Sequence, residues 1–341
     1  MENFNPNDIA VVNGNFFGLP YSVKESNIVL LPVEWDATVS YGKGTSKGPK
    51  AILNASVQVD LYHEEIPNAW ETKIGSLEAN SEIESLNLLA RERADNIISM
   101  LEKGESPLLD DLTFVNDASN RLNSWVEEQV TKQLDDGKIV GVIGGEHSVP
   151  FGAIKALSKR YSNFGILHID AHADLREAYE GFKYSHASIM YNVLEQLQNV
   201  TKIVQVGVRD FCEQEHNIIL NNPKVTSFTN RKLSAYKFNG TCWRDVVENI
   251  IAELPDKVYI SFDIDGLSPE LSPSTGTPVP GGLSYNEVDF MLELLAKSGK
   301  EIIGFDLCEV APSNNGDEWD GNVGARVLFM LSQWVWFNRT L

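Results

Sequence analysis

The chain has 341 residues, 43% of them hydrophobic, and 48 acidic against 28 basic residues give it a formal net charge of −20. This composition excludes a disordered chain, and the negative field disfavours nucleic acid or an anionic membrane surface as a partner. Three widely spaced cysteines without a CxxC pair argue against a disulfide framework. No segment has the pattern of a secretion signal or a membrane span, so we expect a cytoplasmic protein.

Short apolar segments recur along the chain, and each predicts a strand buried on both faces. They cover 28–33, 139–144, 164–170, 202–208, 257–263 and 301–307. Helical patterns lie between them, at 81–104, 119–137, 241–254 and 284–299. The last one starts with Ser284 as a cap and has Glu287 three residues later.

Strands that alternate with helices predict an α/β fold. We expect a doubly wound, mostly parallel sheet with helices on both faces. The chain shows no repeat and no long linker, so the prediction is a single domain over 1–341, with 1–27 as an N-terminal extension.

Acidic and histidine side chains directly follow four of the predicted strands. They are His147, Asp170, Asp263 and Glu309. In open α/β sheets, ligands bind outside the carboxyl ends of the strands. One such residue alone is commonly a turn residue or a helix cap, but four of them indicate a site.

The segment DAHAD, 170–174, predicts metal binding. Side chains two positions apart share a face of an extended chain, so Asp170, His172 and Asp174 converge on one volume. Without a cation, such a group suffers like-charge repulsion and the cost of desolvation. A divalent metal ion removes that cost.

A second acidic pair, Asp263 and Asp265, repeats the spacing at another strand end. With His147, the two pieces supply six nitrogen and oxygen ligands, more than a single tetrahedral zinc uses. The set suits a two-metal centre. We therefore predict two divalent ions per chain, with Mn²⁺ preferred and Ni²⁺ as the alternative.

Five motifs carry a family resemblance: GGEHS, DAHADLR, YSHAS, SFDIDGLSP and GTPVPGGL. Over residues 28–330 the chain resembles the ureohydrolases, which include arginase, agmatinase, guanidinobutyrase, formimidoylglutamase and guanidine hydrolase. The resemblance implies an arginase-like three-layer α/β/α fold. It also implies a hydrolase that cleaves the C–N bond of a small guanidinium substrate and releases urea.

The resemblance further implies roles for individual residues. One metal is held by His147, Asp170, Asp174 and Asp263, and the other by Asp170, His172, Asp263 and Asp265. Asp170 and Asp263 bridge the two metals, which lower the pKa of a shared water. Glu309, in CEVAP, pairs with the guanidinium, and His186, in YSHAS, is the proton shuttle.

The substrate tail is predicted from the segment 175–186, LREAYEGFKYSH. It lacks the Asn- and Ser-rich stretch of arginases and carries Glu177 and Glu180, which favour an amine tail over a carboxylate. Agmatine fits this pattern. The alternatives are guanidine hydrolase, with Trp35 or Trp319 narrowing the pocket, the arginase, guanidinobutyrase or formimidoylglutamase activities, and a metal-binding homologue without turnover.

Four further features of the sequence bear on the site or on assembly. His168, inside an apolar strand, is predicted to be a core histidine. Ser268 stands where many relatives have Asp before Pro, which alters a contact behind the metal ligands. The segment 313–326, placed near the site mouth, is interpreted as a solvated loop in preference to a lid. Relatives form trimers or hexamers, so we expect a homo-oligomer, with Trp334 in either the interface or the core.

Overall fold

The strands of this protein form one parallel sheet. The computed structural model describes residues 4–341. The first three residues of the predicted extension 1–27 therefore lie outside the described residues. Within this range the sheet has eight strands: β1 Ile28–Pro32, β2 Ile74–Ser76, β3 Ile139–Ile143, β4 Phe164–Ile169, β5 Val200–Val206, β6 Val225–Phe228, β7 Lys257–Phe262 and β8 Glu301–Leu307.

The strands lie in the order β2-β1-β3-β8-β7-β4-β5-β6, and each neighbouring pair is parallel. The predicted α/β fold is confirmed, including all six predicted strands. The sequence analysis missed β2 and β6. Both are short, with three and four residues, and so carry little apolar signal.

Ten α-helices connect the strands within the described residues. They are α1 Gly48–Ser56, α2 Ser81–Glu102, α3 Leu109–Asp135, α4 Phe151–Arg160, α5 Ile189–Gln196, α6 Glu213–Asn221, α7 Asn230–Phe238, α8 Trp243–Ala252, α9 Tyr285–Ala296 and α10 Trp319–Thr340. Helix α9 begins with the predicted capping box between Ser284 and Glu287. No helix of residues 4–341 is long and apolar enough to cross a membrane.

Helices cover both faces of the sheet, because successive strand residues point to opposite faces. Ile28 and Leu30 of β1 belong to one apolar cluster, which α8, α9 and α10 complete. Leu31 belongs to the cluster on the other side, which α3, α4 and α5 complete. Two large apolar layers therefore hold the sheet between them.

The amino-terminal segment packs against this core. Phe16, Phe17 and Tyr21 are buried, and the Phe17 ring lies 5.4 Å from that of Phe329 in α10. Trp334, also in α10, is buried in the same cluster. Trp334 is thus a core residue, which decides the alternative that the sequence left open for it.

The arrangement of the strands determines where a site can form. Strands β3, β8, β7 and β4 are neighbours at the centre of the sheet, although they are far apart along the chain. The chain runs from β4 to β5 and β6 on one side and from β7 to β8 on the other, so the direction of connection reverses between the neighbours β7 and β4. Such a switch point leaves a crevice at the carboxyl ends of the strands. The four predicted strand-end residues therefore meet at one edge.

Candidate metal centre

The predicted site residues meet in a small cavity at this edge of the sheet. Its volume is about 170 Å³, and its lining includes six of them: His147, His172, Asp174, His186, Asp263 and Glu309. Asp170 and Asp265 lie buried beside it. The cavity therefore brings together every residue predicted to bind metal, guanidinium or a proton.

A glycine turn brings His147 into the cavity. A Cβ atom on Gly145 would lie 1.9 Å from the carbonyl oxygen of Trp35, so only glycine fits. The Gly145 carbonyl accepts from the Glu309 amide at 2.8 Å, and the His147 amide donates to Glu309 Oε1 at 2.8 Å. The turn after β3 and the end of β8 are thus fixed to each other.

The DAHAD and SFDIDG segments also hold each other in place. The Ala171 amide donates to Asp265 Oδ1 at 3.0 Å, and the Asp265 amide donates to Asp263 Oδ1 at 2.8 Å. Gly266 packs so closely that a Cβ atom there would lie 2.8 Å from the Asp170 amide nitrogen. The acids of β4 and β7 therefore approach each other through backbone contacts.

The first group of potential metal ligands contains His147, His168, Asp170 and Asp174. Each of these side chains offers one ligand atom, and these atoms lie within 4.8 Å of one another. His147 Nδ1 is 2.9 Å from Asp170 Oδ2 and 3.1 Å from Asp174 Oδ2. Asp263 Oδ2 lies 3.4 Å from the same nitrogen, so it also faces this group.

The second group contains Asp170, His172 and Asp265. His172 Nδ1 lies 3.1 Å from Asp265 Oδ2 and 3.5 Å from Asp170 Oδ1. Asp170 belongs to both groups, with one oxygen facing each. Two adjacent sets of ligands that share one carboxylate have the composition of a two-metal site.

The electrostatics of the cluster fit divalent cations. Burial, together with the charges of Asp265 and Asp170, raises the pKa of Asp263 well above its usual range. Burial and Asp170 raise the pKa of Asp174 to about 6, and the buried Asp174 Oδ2, although 3.1 Å from His147 Nδ1, makes no well-aligned hydrogen bond to the described residues. Hard cations satisfy such an oxygen and remove the repulsion, so the residues present fit two metal ions.

Glu309 is held in an unusual backbone conformation at the cavity wall. Its φ angle is 63°, in the left-handed region, and its carbonyl accepts from the Thr275 hydroxyl at 2.8 Å. Burial and the nearby Glu146 raise the pKa of its carboxyl well above the usual range. A cation that pairs with Glu309 would relieve this cost.

His186 lines the same cavity, at the start of a short turn before α5. Its ring meets Tyr179 edge-on, with 5.9 Å between ring centroids, and its Nδ1 lies 3.5 Å from Thr38 Oγ1. Burial, with His172 as a smaller cause, lowers the pKa of His186 to about 4. A neutral imidazole at this position can accept a proton.

With this geometry established, comparison with known proteins places the chain in a family. Residues 26–332 match the arginase family. The chain belongs to the arginase family, the ureohydrolases. It is accordingly a hydrolase that acts on linear amidines.

Individual relatives agree with this assignment. The N(1)-aminopropylagmatine ureohydrolase of Thermus thermophilus is 32% identical over 86% of this chain and 85% of the relative. The agmatinase of Bacillus anthracis is 30% identical over 92% and 94%. The solved structure of agmatine ureohydrolase from Thermoplasma volcanium superposes with a TM-score of 0.70, at 25% identity and over 94% of each chain.

Two acids that the sequence analysis assigned to this arginase-family pocket are not part of its lining. Glu177 is exposed and Glu180 is half-buried, and neither side chain lines the cavity. Burial, and Glu102 as a smaller cause, raise the pKa of Glu180. The acids that line the cavity beside the metal ligands are instead Asp210 and Glu215. They follow β5, a strand end for which the sequence predicted no site residue.

The tryptophans and the acidic segment also lie elsewhere. Trp35 is fully buried outside the cavity lining, and Trp319 donates its indole N–H to the Glu270 carbonyl. Residues 319–326 are the first turns of α10, and Ser313 and Asp317 line a separate cavity of about 1070 Å³ beside α1. The segment 313–326 is therefore part helix, and it neither forms the mouth of the metal site nor covers it.

His168 contributes more to the site than its sequence interpretation suggests. It is fully buried in β4, as expected, and its Nε2 lies 2.8 Å from Asp170 Oδ2. Gln205 Nε2 lies 3.1 Å from the other ring nitrogen. The signal was present in the sequence, because His168 precedes Asp170 by two positions and so points to the same face.

Replacing Asp170 tests the shared carboxylate. Asp170→Asn should reduce both metal equivalents, because one ligand is lost from each group, whereas Asp265→Asn should reduce mainly one. Elemental analysis after dialysis measures the number of metal ions bound per chain. Asp210→Asn, outside both groups, is the control and should keep the full content. Two metals retained by Asp170→Asn would contradict the shared role.

Proposed function

We propose that this chain is a binuclear-metal ureohydrolase that hydrolyses a guanidinium substrate with a cationic tail, with agmatine as the first candidate. The observation that carries the proposal is that two ligand groups sharing Asp170 adjoin Glu309 and His186 in one cavity. The relatives named agmatinase and aminopropylagmatine ureohydrolase support the choice of tail. The products would be urea and the corresponding amine.

The metal ligands have a defined part in this reaction. We assign His147, Asp170, Asp174 and Asp263 to one Mn²⁺ and Asp170, His172, Asp263 and Asp265 to the other, with Ni²⁺ as the alternative metal. When bound, two such ions supply an activated water at neutral pH and neutralise developing charge. Asp170 and Asp263 keep the two positions adjacent.

Glu309 binds and orients the guanidinium. Its Oε1 accepts from the His147 amide, which fixes the carboxylate plane relative to a metal ligand. A planar guanidinium pairs well with a carboxylate held in this way. The buried site also strengthens the ion pair, because little water competes for it.

His186 moves the proton. The leaving amine must gain a proton when the C–N bond breaks, and His186 lines the cavity where that nitrogen would lie. A positioned imidazole can take a proton from the attacking water and pass it to the amine. Tyr179 at its edge limits the movement of the ring.

The substrate tail points to Asp210 in this proposal. Both carboxylate oxygens of Glu215 already accept amides, from Leu175 at 3.1 Å and Cys212 at 2.9 Å. Asp210 is exposed at the cavity wall, and its backbone forms an isolated parallel β-bridge with that of His172, so it is near a metal ligand and accessible. A distal ammonium meets opposite charge there, whereas a carboxylate meets repulsion.

A panel of substrates tests the reaction. Protein reconstituted separately with Mn²⁺ and Ni²⁺ should release urea from agmatine faster than from arginine or guanidinobutyrate. Free guanidine is the second candidate, because a cavity of about 170 Å³ suits a small cation. Metal binding without turnover of any guanidinium compound, or of the amidine formiminoglutamate, would support the alternative of an inactive homologue.

Replacing His186 tests the proton shuttle. His186→Ala should keep both metals and leave KM nearly unchanged, while kcat falls by about 10² to 10⁴-fold, the usual span for a positioned acid or base. Steady-state kinetics and elemental analysis on the same preparation separate the two effects. An unchanged kcat would give His186 a structural role only.

Replacing Asp210 tests the tail contact. Asp210→Asn should reduce the preference for agmatine over free guanidine by about 1.5–3 kcal/mol, the range of a hydrogen bond to a charged group. The matched control is the double variant Glu177→Gln and Glu180→Gln, whose side chains lie outside the cavity lining. A loss of preference in that double variant, with none in Asp210→Asn, would instead support the two glutamates as the tail site.

A further inference from the structure

A buried hydroxyl, Thr38 Oγ1, lies next to His186 and outside the cavity lining. The Thr38 hydroxyl donates to Glu146 Oε1 at 2.8 Å, and the Thr38 amide donates to Glu146 Oε2 at 2.7 Å. The same Thr38 oxygen accepts from the His186 amide at 3.1 Å and lies 3.5 Å from His186 Nδ1. Thr38 and Glu146 are both fully buried.

The Thr38 hydroxyl has a single proton, so it can donate a hydrogen bond to Glu146 or to His186 but not to both. A threonine hydroxyl has one proton and two lone pairs. Glu146 Oε1 at 2.8 Å lies within normal hydrogen-bond distance of the hydroxyl, whereas the imidazole nitrogen at 3.5 Å is farther, so the proton goes to Glu146. The Thr38 oxygen is then left with lone pairs, and it can only accept from Nδ1 of His186.

Glu146 is fixed independently of His186. Besides the two donors of Thr38, its Oε1 accepts from the Ser148 hydroxyl at 2.6 Å. Three donors thus converge on one buried carboxylate that neither binds metal nor faces the substrate in the proposed reaction. This glutamate precedes the ligand His147, and it ties Thr38 to the turn after β3.

We propose that Thr38, oriented by Glu146, fixes His186 in the tautomer with the proton on Nδ1. The ring nitrogen that remains unprotonated, Nε2, is on the opposite side of the imidazole and serves as the proton acceptor of the shuttle. Thr38 and Glu146 are therefore positioning residues that act through His186. This inference rests on the proposed function for the role of His186, but the tautomer itself does not depend on activity.

Kinetics test whether Thr38 acts through His186. Thr38→Val keeps the shape and removes the hydroxyl, so kcat should fall by about 10- to 100-fold with KM and metal content unchanged. Thr38→Ser restores the hydroxyl and should recover kcat. In a His186→Ala background, Thr38→Val should have less than about twofold further effect on kcat. Full additivity of the two changes would overturn the inference.

Nitrogen NMR gives a readout without turnover. In Zn²⁺-loaded protein with ¹⁵N-labelled histidine, the signals lost in His186→Ala identify the residue. They should show Nδ1 protonated in wild type and Thr38→Ser, with a shift towards protonated Nε2 in Thr38→Val. Protonated Nε2 in the wild type, or no change in Thr38→Val, would overturn the inference. Inactivity towards all guanidinium compounds, with the tautomer following Thr38, would defeat the proposed function alone.

Discussion

The concentration of negative charge at the ends of four neighbouring strands is the constraint on which the site depends. Asp170, Asp174, Asp263 and Asp265 are all buried, and isolated carboxylates are costly to remove from water. The acids are nevertheless held close together, because the sheet places β3, β8, β7 and β4 side by side. A bound cation would offset this cost, because ligands that repel each other are stabilised by an ion that they share.

The backbone enforces this crowding. Amides rather than long side chains hold the acids, as the contacts from Ala171 to Asp265 and from Asp265 to Asp263 show. Backbone donors cannot change rotamer, so the ligand positions follow directly from the register of β4 against β7. The precision of the centre therefore comes from the sheet, and the loops mainly supply the proposed substrate contacts.

Local spacing made part of this structure predictable. The alternation of Asp170, His172 and Asp174 within five residues indicated a shared face, and the apolar segments indicated the strands before it. By contrast, Asp210 reaches the cavity, and Thr38 reaches His186, only through the tertiary fold. Glu177 and Glu180 shared a segment with His186 but not an orientation, because sequence proximity in a loop does not determine where side chains point.

Left-handed backbone at Asp174 and Glu309 has a consequence for protein engineering. Each residue has φ near 60°, a conformation that costs a non-glycine residue about 1–3 kcal/mol. Glycine at either position would relieve the strain and remove the carboxylate at the same time. Searches for variants that are thermostable in the absence of metal and substrate should therefore select such glycines readily, and each one should lower the capacity to bind metal or substrate. Heat resistance alone is a misleading selection criterion for this protein.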